Sequence, residues 1–276
     1  MHDVDPEVLA EIRRAAFELR TSDPQAAVRI LRRAAASGGG AEVLARGALG
    51  EIYLMELGDL DGAEHEYRRV LALAPGLAAA EIGLARVLRE TGATAEAQDH
   101  YRSAVTSLAN EVASFRDRAA SGQPIPEGAE EVVLTLLEAA LEERALPASP
   151  VANASRPQHP VEASAKCSFD ESLLDWAVRE KLFDALSGEE GDPAEDWFRF
   201  HSLRARLLWL EERREDSAQA HAIAVAILQQ AIAVAEARLA SASPEERDRF
   251  AEEIRGYRDA LAESSGGLVS LRSPRA

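Results

Sequence analysis

Apolar residues recur at helical spacing along most of the chain, and no stretch sustains the apolar–polar alternation that is typical of strands. One arrangement occurs twice, thirty-four positions apart: a glycine, an alanine five residues later, a tyrosine four further and a small residue three beyond. The corresponding pairs are Gly58 and Gly92, Ala63 and Ala97, Tyr67 and Tyr101, and Val70 and Ala104. This spacing predicts a turn followed by a helix whose alanine lets a neighbouring helix approach closely.

An earlier stretch repeats this pattern more loosely. Ala27, Leu31 and Ala34 have the spacing of the alanine, the tyrosine and the small residue. Helices are predicted to start at Asp5-Pro6 and Asp23-Pro24, because aspartate accepts hydrogen bonds from free backbone amides and proline fits the first helical position. The first 109 residues therefore predict three helical hairpins.

Residues 127–144 form a further amphipathic pattern, with glutamates on one side. Its apolar side consists of Val133, Leu136, Leu137, Ala140 and Leu141. A repeat array needs a terminal helix with a polar outer face. We therefore predict a repeat domain with a capping helix over residues 1–145.

The second half of the chain has a different organisation. Residues 146–167 are rich in proline, alanine and serine, as is typical of a linker. Residues 168–264 predict a four-helix domain, and residues 265–276 predict a flexible tail. Within that domain, residues 193–241 form either one continuous helix or two helices broken near residues 213–217. The predicted fold class is all-α throughout.

The period of thirty-four residues with this content resembles the tetratricopeptide repeat family. Leu49, Gly50 and Tyr53 match the family's first-helix signature, and Pro75 matches its closing proline. One residue more than the family norm lies between Tyr53 and Gly58. The third repeat lacks the closing proline, so its second helix is expected to run on to a break at 121–124. The resemblance covers the N-terminal half and implies an α-solenoid of three hairpins.

Composition narrows the function classes. The formal net charge is −17, and both halves are acidic, so nucleic-acid binding and attachment to anionic membranes are not expected. No run of residues approaches the length of a membrane span, and residues 1–20 lack the apolar core of a signal peptide. A single cysteine, Cys167, favours a reducing compartment. Arginine greatly outnumbers lysine, which indicates a GC-rich coding bias. We expect a cytoplasmic, bacterial-type protein.

Few residues have a spacing that predicts catalysis, metal binding or cofactor binding. None of the six histidines has the Glu-x-x-His or His-x-x-x-His spacing of a helical metal site. The three glycines at 38–40 follow a helix, whereas a phosphate-binding loop precedes one. His201 lies among apolar residues after Trp197, so it either is half-buried in a core or lines a small pocket. The sequence predicts no enzyme, no metal and no cofactor.

In the resembling family, the first helix of each repeat lines a concave groove that holds a segment of a partner protein. The implied groove residues are Arg13 or Arg14 in the first repeat, Leu44, Glu51 and Leu54 in the second, and Ile82, Arg86 and Arg89 in the third. Arginines three residues apart can hold a carboxylate through paired hydrogen bonds. Alternatively, they pair with acidic residues of the adjacent hairpin. The asparagines and lysines by which chaperone-binding members hold C-terminal carboxylates are absent from these helices.

Three functions follow from these patterns. The first is a non-catalytic adaptor or scaffold whose groove binds a basic or carboxylate-bearing segment of another protein. The second is a homo-oligomeric scaffold, because residues 218–240 have two apolar seams and one of them could pack against another chain. The third is a ligand-sensing helical domain with a pocket near Trp197 and His201.

Overall fold

The structure is a computed structural model that describes residues 4–146, 172–179 and 193–272. These residues form helices and turns, and no strand occurs among them, so the predicted all-α class is confirmed. The helices are α1 (Pro6–Arg13), α2 (Pro24–Ala35), α3 (Gly39–Ile52), α4 (Leu60–Leu73), α5 (Ala78–Glu90), α6 (Thr94–Ala120), α7 (Ala129–Ala145), α8 (Ser172–Arg179), α9 (Pro193–Leu210), α10 (Arg214–Ser241) and α11 (Pro244–Arg272). The π-helical segments Arg14–Leu19 and Tyr53–Leu57 extend α1 and α3.

The chain forms two compact units. One comprises Met1–Glu111 and Glu142–Ala163, and the other comprises Val112–Leu141 and Ser164–Ala276. Helix α6 continues without a break from the first of these stretches into Val112–Leu141. The domain bounds that the sequence indicates remain a prediction. The predicted linker, residues 146–167, lies mostly outside the described residues.

The first unit is built from hairpins that pack in chain order. Helix α2 packs against α3, α3 against α4, and α4 against α5, as in an α-solenoid. Ala27, Ala63 and Ala97 are fully buried at equivalent points, and Tyr67 and Tyr101 are buried one turn later. The sequence repeat therefore corresponds to a repeat of the packing, and the predicted solenoid is confirmed.

The extra residue of the second repeat is accommodated by the π-helical segment Tyr53–Leu57. A π-helical turn holds one more residue than an α-helical turn, so the chain can take an insertion without losing its helical hydrogen bonds. The segment ends at Gly58, which has φ 62°, and Asp59 then caps α4 by accepting a hydrogen bond from the backbone of Gly62 at 3.0 Å. Ala63 and Tyr67 thus keep their buried positions.

Two glycines make room for the ring of Tyr67. A Cβ atom at Gly50 would lie 2.8 Å from the ring, and one at Gly83 would lie 2.3 Å from Cζ of the same ring. The tyrosine hydroxyl donates a hydrogen bond to Glu51 at 3.3 Å. The helices α3 and α5 can approach α4 this closely only because neither glycine has a side chain.

In the second unit, α10 packs against both α9 and α11. Leu228 and Ala235 of α10 form a buried cluster with Ile254 and Tyr257 of α11. The hydroxyl of Ser217 donates a hydrogen bond to the carbonyl of Ala205 at 2.7 Å, which joins α9 to the start of α10. Helix α10 is therefore a central helix with neighbours on two sides.

The open question about residues 193–241 is answered: two helices, α9 and α10, are separated by residues 211–213. Glu212 has φ 63°, a left-handed conformation that interrupts the helix. The break therefore lies slightly before the predicted position.

The ends of the second half differ from the prediction or lie outside the described residues. Helix α11 continues to Arg272, into the predicted tail. Helix α8 is described over Ser172–Arg179, and the residues directly before it lie outside the described residues.

Candidate functional site

The predicted groove arginines of the third repeat are joined to Glu142 of α7. Arg86 donates to Oε1 of Glu142 from Nε at 3.1 Å and from Nη2 at 2.6 Å. Arg89 donates from Nη1 to Oε2 at 3.1 Å, and the hydroxyl of Tyr101 donates to the same oxygen. Ile82, the third predicted residue of this helix, is buried. The contacts of both arginines therefore follow the alternative interpretation, pairing with an acidic residue of this chain.

Glu142 is held in its ionised form. Its burial alone disfavours the charge, but the hydrogen bonds from Arg86 and Tyr101 outweigh the burial and lower its pKa. Burial and the bond to Glu142 raise the pKa of Tyr101, so the phenol stays protonated as a donor. The arrangement is a carboxylate-binding site that is occupied by a carboxylate of the same chain.

The predicted residues of the first two repeats are more accessible. Arg13 and Leu44 are exposed. Glu51 accepts the hydrogen bond from Tyr67 and lies 3.7 Å from Arg20. The remaining predicted residue of the second repeat, Leu54, is partly buried against the core of the unit.

Two apolar residues that the sequence analysis did not single out are strongly exposed. Phe17 is 78% exposed and Met55 is 59% exposed, and each lies in a π-helical segment at the end of a first helix. Arg20, directly after the first segment, forms an ion pair of 2.9 Å with Glu56 of the second. The sequence signal for Phe17 is an aromatic residue one turn after Arg13 that does not fit the spacing of small and aromatic residues in the repeat.

In the second unit, Trp197 and His201 are in contact. Their rings stack at 5.6 Å with an interplanar angle of 15°, and Phe200 meets the histidine edge-on at 5.1 Å. His201 is 5% exposed, and burial lowers its pKa to about 4, so it is neutral at physiological pH. It lines a small cavity of about 180 Å³ together with Arg204 and Asp216.

Helix α10 combines an apolar composition with an exposed face. Ile223 is 39% exposed and Val234 is 44% exposed. By length and composition, residues Arg214–Ala240 could cross a membrane, with a mean hydropathy of 1.5 over the most apolar window, of which 17% is buried. The expectation that no run of residues approaches the length of a membrane span therefore does not hold for this helix, in which alanines supply much of the apolar character. The core helix of a soluble protein passes the same test, but such a helix is mostly buried.

Within the described ranges, no three histidine, cysteine, aspartate or glutamate side chains cluster in a way that could hold a metal ion. The polar groups that do converge, around Glu142, consist of cations and a phenol that satisfy a carboxylate. Such an arrangement can bind and orient an anion.

The family comparison agrees with this geometry. No curated protein matches the sequence. The family described as Tetratricopeptide repeat matches residues 54–116, which include most of the π-helical segment Tyr53–Leu57, all of α4 and α5, and most of α6. This match contains both repeat tyrosines and both repeat alanines. The N-terminal half of this chain therefore contains tetratricopeptide repeats, a class of module that generally binds other proteins.

Proposed function

We propose that the chain is a non-catalytic cytoplasmic adaptor whose repeat array binds a segment of another protein. The observation that carries the proposal is the strong exposure of Phe17 and Met55 on the first helices of two successive repeats. Aromatic residues, methionine and arginine are enriched in protein interfaces, and large exposed apolar side chains stabilise a complex when a partner covers them.

The partner surface proposed here centres on the first two repeats. It comprises Arg13, Phe17, Leu44, Glu51 and Met55, all of which lie on first helices or their π-helical extensions. Arg86 and Arg89 of the third repeat are already paired with Glu142. A partner carboxylate would have to displace Glu142 to reach them, so they are a weaker candidate for the main contact. The net charge of −17 favours approach of a basic partner.

Phe17→Ala is expected to weaken partner binding by at least about tenfold, because truncating an aromatic anchor removes a large part of an interface's energy. Its effect on the stability of the free protein should be small, since the side chain is largely in water. Affinity capture with mass spectrometry, followed by titration of the partner that it identifies, measures the difference.

Leu73→Ala is the matched control, because Leu73 is an exposed apolar residue on α4, a second helix of the array. Proteins that are captured by the wild type and by Leu73→Ala but lost with Phe17→Ala would support the proposed surface. Equal recovery with all three proteins would contradict it.

A second candidate function, self-association through α10, is favoured by the exposure of Ile223 and Val234. We expect the protein in solution to have a mass above the 29.8 kDa of one chain, since a second copy would cover this face. The variant Ile223→Glu/Val234→Glu should return it to a monomer, because the complex would have to bury two charges. Light scattering coupled to size-exclusion chromatography measures the mass, and a strictly monomeric wild type would exclude this function.

A further inference from the structure

Helices α9, α10 and α11 surround a cavity of about 490 Å³ in the second unit. Its apolar lining includes Phe198, Leu203 and Leu228. The volume lies in the range of about 300–1,000 Å³ that is typical of small-molecule sites, which are mostly apolar with a few polar groups. The residues of α9 that line it are on a different face of the helix from His201, so this cavity is distinct from the one beside Trp197.

Gly256 is the most informative residue of the lining. It lies inside α11, where glycine costs about 1 kcal/mol relative to alanine. A Cβ atom at this position would meet no heavy atom within 4 Å, and the residue does not have a positive φ. Gly50 and Gly83, by contrast, are required by the ring of Tyr67. Neither packing nor backbone conformation requires glycine at position 256, and the missing side chain leaves the cavity open.

The polar groups of the cavity indicate what its ligand carries. The hydroxyl oxygen of Ser202 is buried and has no hydrogen-bond partner. Arg206, one turn further along α9, is exposed, and none of the ion pairs within the described residues involves it. Arg199 is paired with Glu138 at 2.7 Å, and Glu253 accepts a hydrogen bond from Tyr257 at 3.3 Å. An unpaired, exposed guanidinium on an apolar cavity is suited to the carboxylate of a ligand whose remainder is apolar.

We propose that this cavity binds a small amphipathic carboxylate. The apolar part of the ligand packs against Phe198, Leu203 and Leu228, and its carboxylate accepts a charge-assisted hydrogen bond from Arg206. The unused space beside Gly256 holds the ligand's apolar chain. This ligand site is independent of the partner surface on the repeat array.

Octanoate is the probe, and it is titrated calorimetrically against the full chain below its micelle-forming concentration. We expect Gly256→Leu to reduce the affinity for octanoate by at least about tenfold, because the leucine occupies the apolar space. Asp259→Leu, which adds the same side chain at an exposed position of α11, should bind octanoate like the wild type. Octanoate binding that is unchanged by Gly256→Leu would overturn the proposal.

Arg206→Gln tests the carboxylate contact separately and does not depend on the folding of the glycine variant. It should weaken octanoate binding by about tenfold, the loss of one charge-assisted hydrogen bond, and leave binding of 1-octanol unchanged. Wild-type protein that binds octanol as tightly as octanoate, or binds neither, would overturn the assignment of a carboxylate ligand.

Discussion

Gly83→Ala is expected to lower the free energy of unfolding by about 3 kcal/mol, the upper end of the usual range for overpacked cores. The added Cβ atom would lie 2.3 Å from Cζ and 2.4 Å from Cε1 of Tyr67. The ring cannot move away freely, because it is buried and also contacts Gly50. Urea denaturation followed by circular dichroism measures the change.

Gly47→Ala is the control for this prediction. Gly47 is also a helical glycine of the repeat array, but a Cβ atom there meets no heavy atom within 4 Å. The substitution should therefore stabilise α3 by up to about 1 kcal/mol. The cost of Gly83→Ala should also fall sharply in a Tyr67→Leu background, since the two residues interact directly. An equal cost in both backgrounds would show that the ring is not the cause.

Glu142→Gln is expected to lower the free energy of unfolding by roughly 1.5–3 kcal/mol at neutral pH, the usual contribution of hydrogen bonds to charged groups. The variant leaves Arg86 and Arg89 without the carboxylate that each of them contacts on α7. Denaturation of both proteins at a series of pH values measures the difference between them.

The stability difference between the wild type and Glu142→Gln should decrease as the pH falls. Because the folded protein lowers the pKa of Glu142 below the ordinary value of 4.5, its ionised form contributes stability that is fully present above pH 4.5. That contribution is lost as the pH falls through the folded pKa, so the gap between wild type and Glu142→Gln should narrow in acid. A gap that stays constant down to pH 2 would mean that the charge of Glu142 is not what stabilises the fold.

Glu90→Gln provides the comparison. Glu90 also pairs with Arg89, at 3.2 Å, but its side chain is largely exposed. Exposed ion pairs contribute about 0–1 kcal/mol, so this variant should be close to the wild type at every pH.

The helices and the repeat core could be predicted from the sequence because both rest on local spacing. The burial of Ala63, Tyr67, Ala97 and Tyr101 follows from a period that is visible in the sequence. The start of α2 was likewise predictable, since Asp23 caps it by accepting a hydrogen bond from Ala26 at 2.9 Å. Such features need no knowledge of distant contacts.

The candidate sites were less predictable because they depend on contacts between distant residues. Arg86 and Glu142 are fifty-six residues apart, and no spacing rule selects Glu142 from the many acidic residues of the chain. The exposure of Phe17 depends on a π-helical segment, which changes the direction of side chains relative to a regular α-helix. The cavity beside Gly256 is formed by three helices whose packing order the sequence does not specify.

The π-helical segment at Tyr53–Leu57 also determines where the array tolerates changes in length. In an α-helix, inserting or deleting one residue rotates everything beyond it by about 100°, which would turn a buried face toward solvent. A π-helical turn absorbs that rotation before α4 begins, so its helical phase is preserved. Deleting one residue here would return α3 to a regular helix and keep Ala63 and Tyr67 in the core. Helix α5 contains no π-helical segment. The same deletion within α5 would therefore move Leu84 and Leu88 out of register with the rest of the repeat.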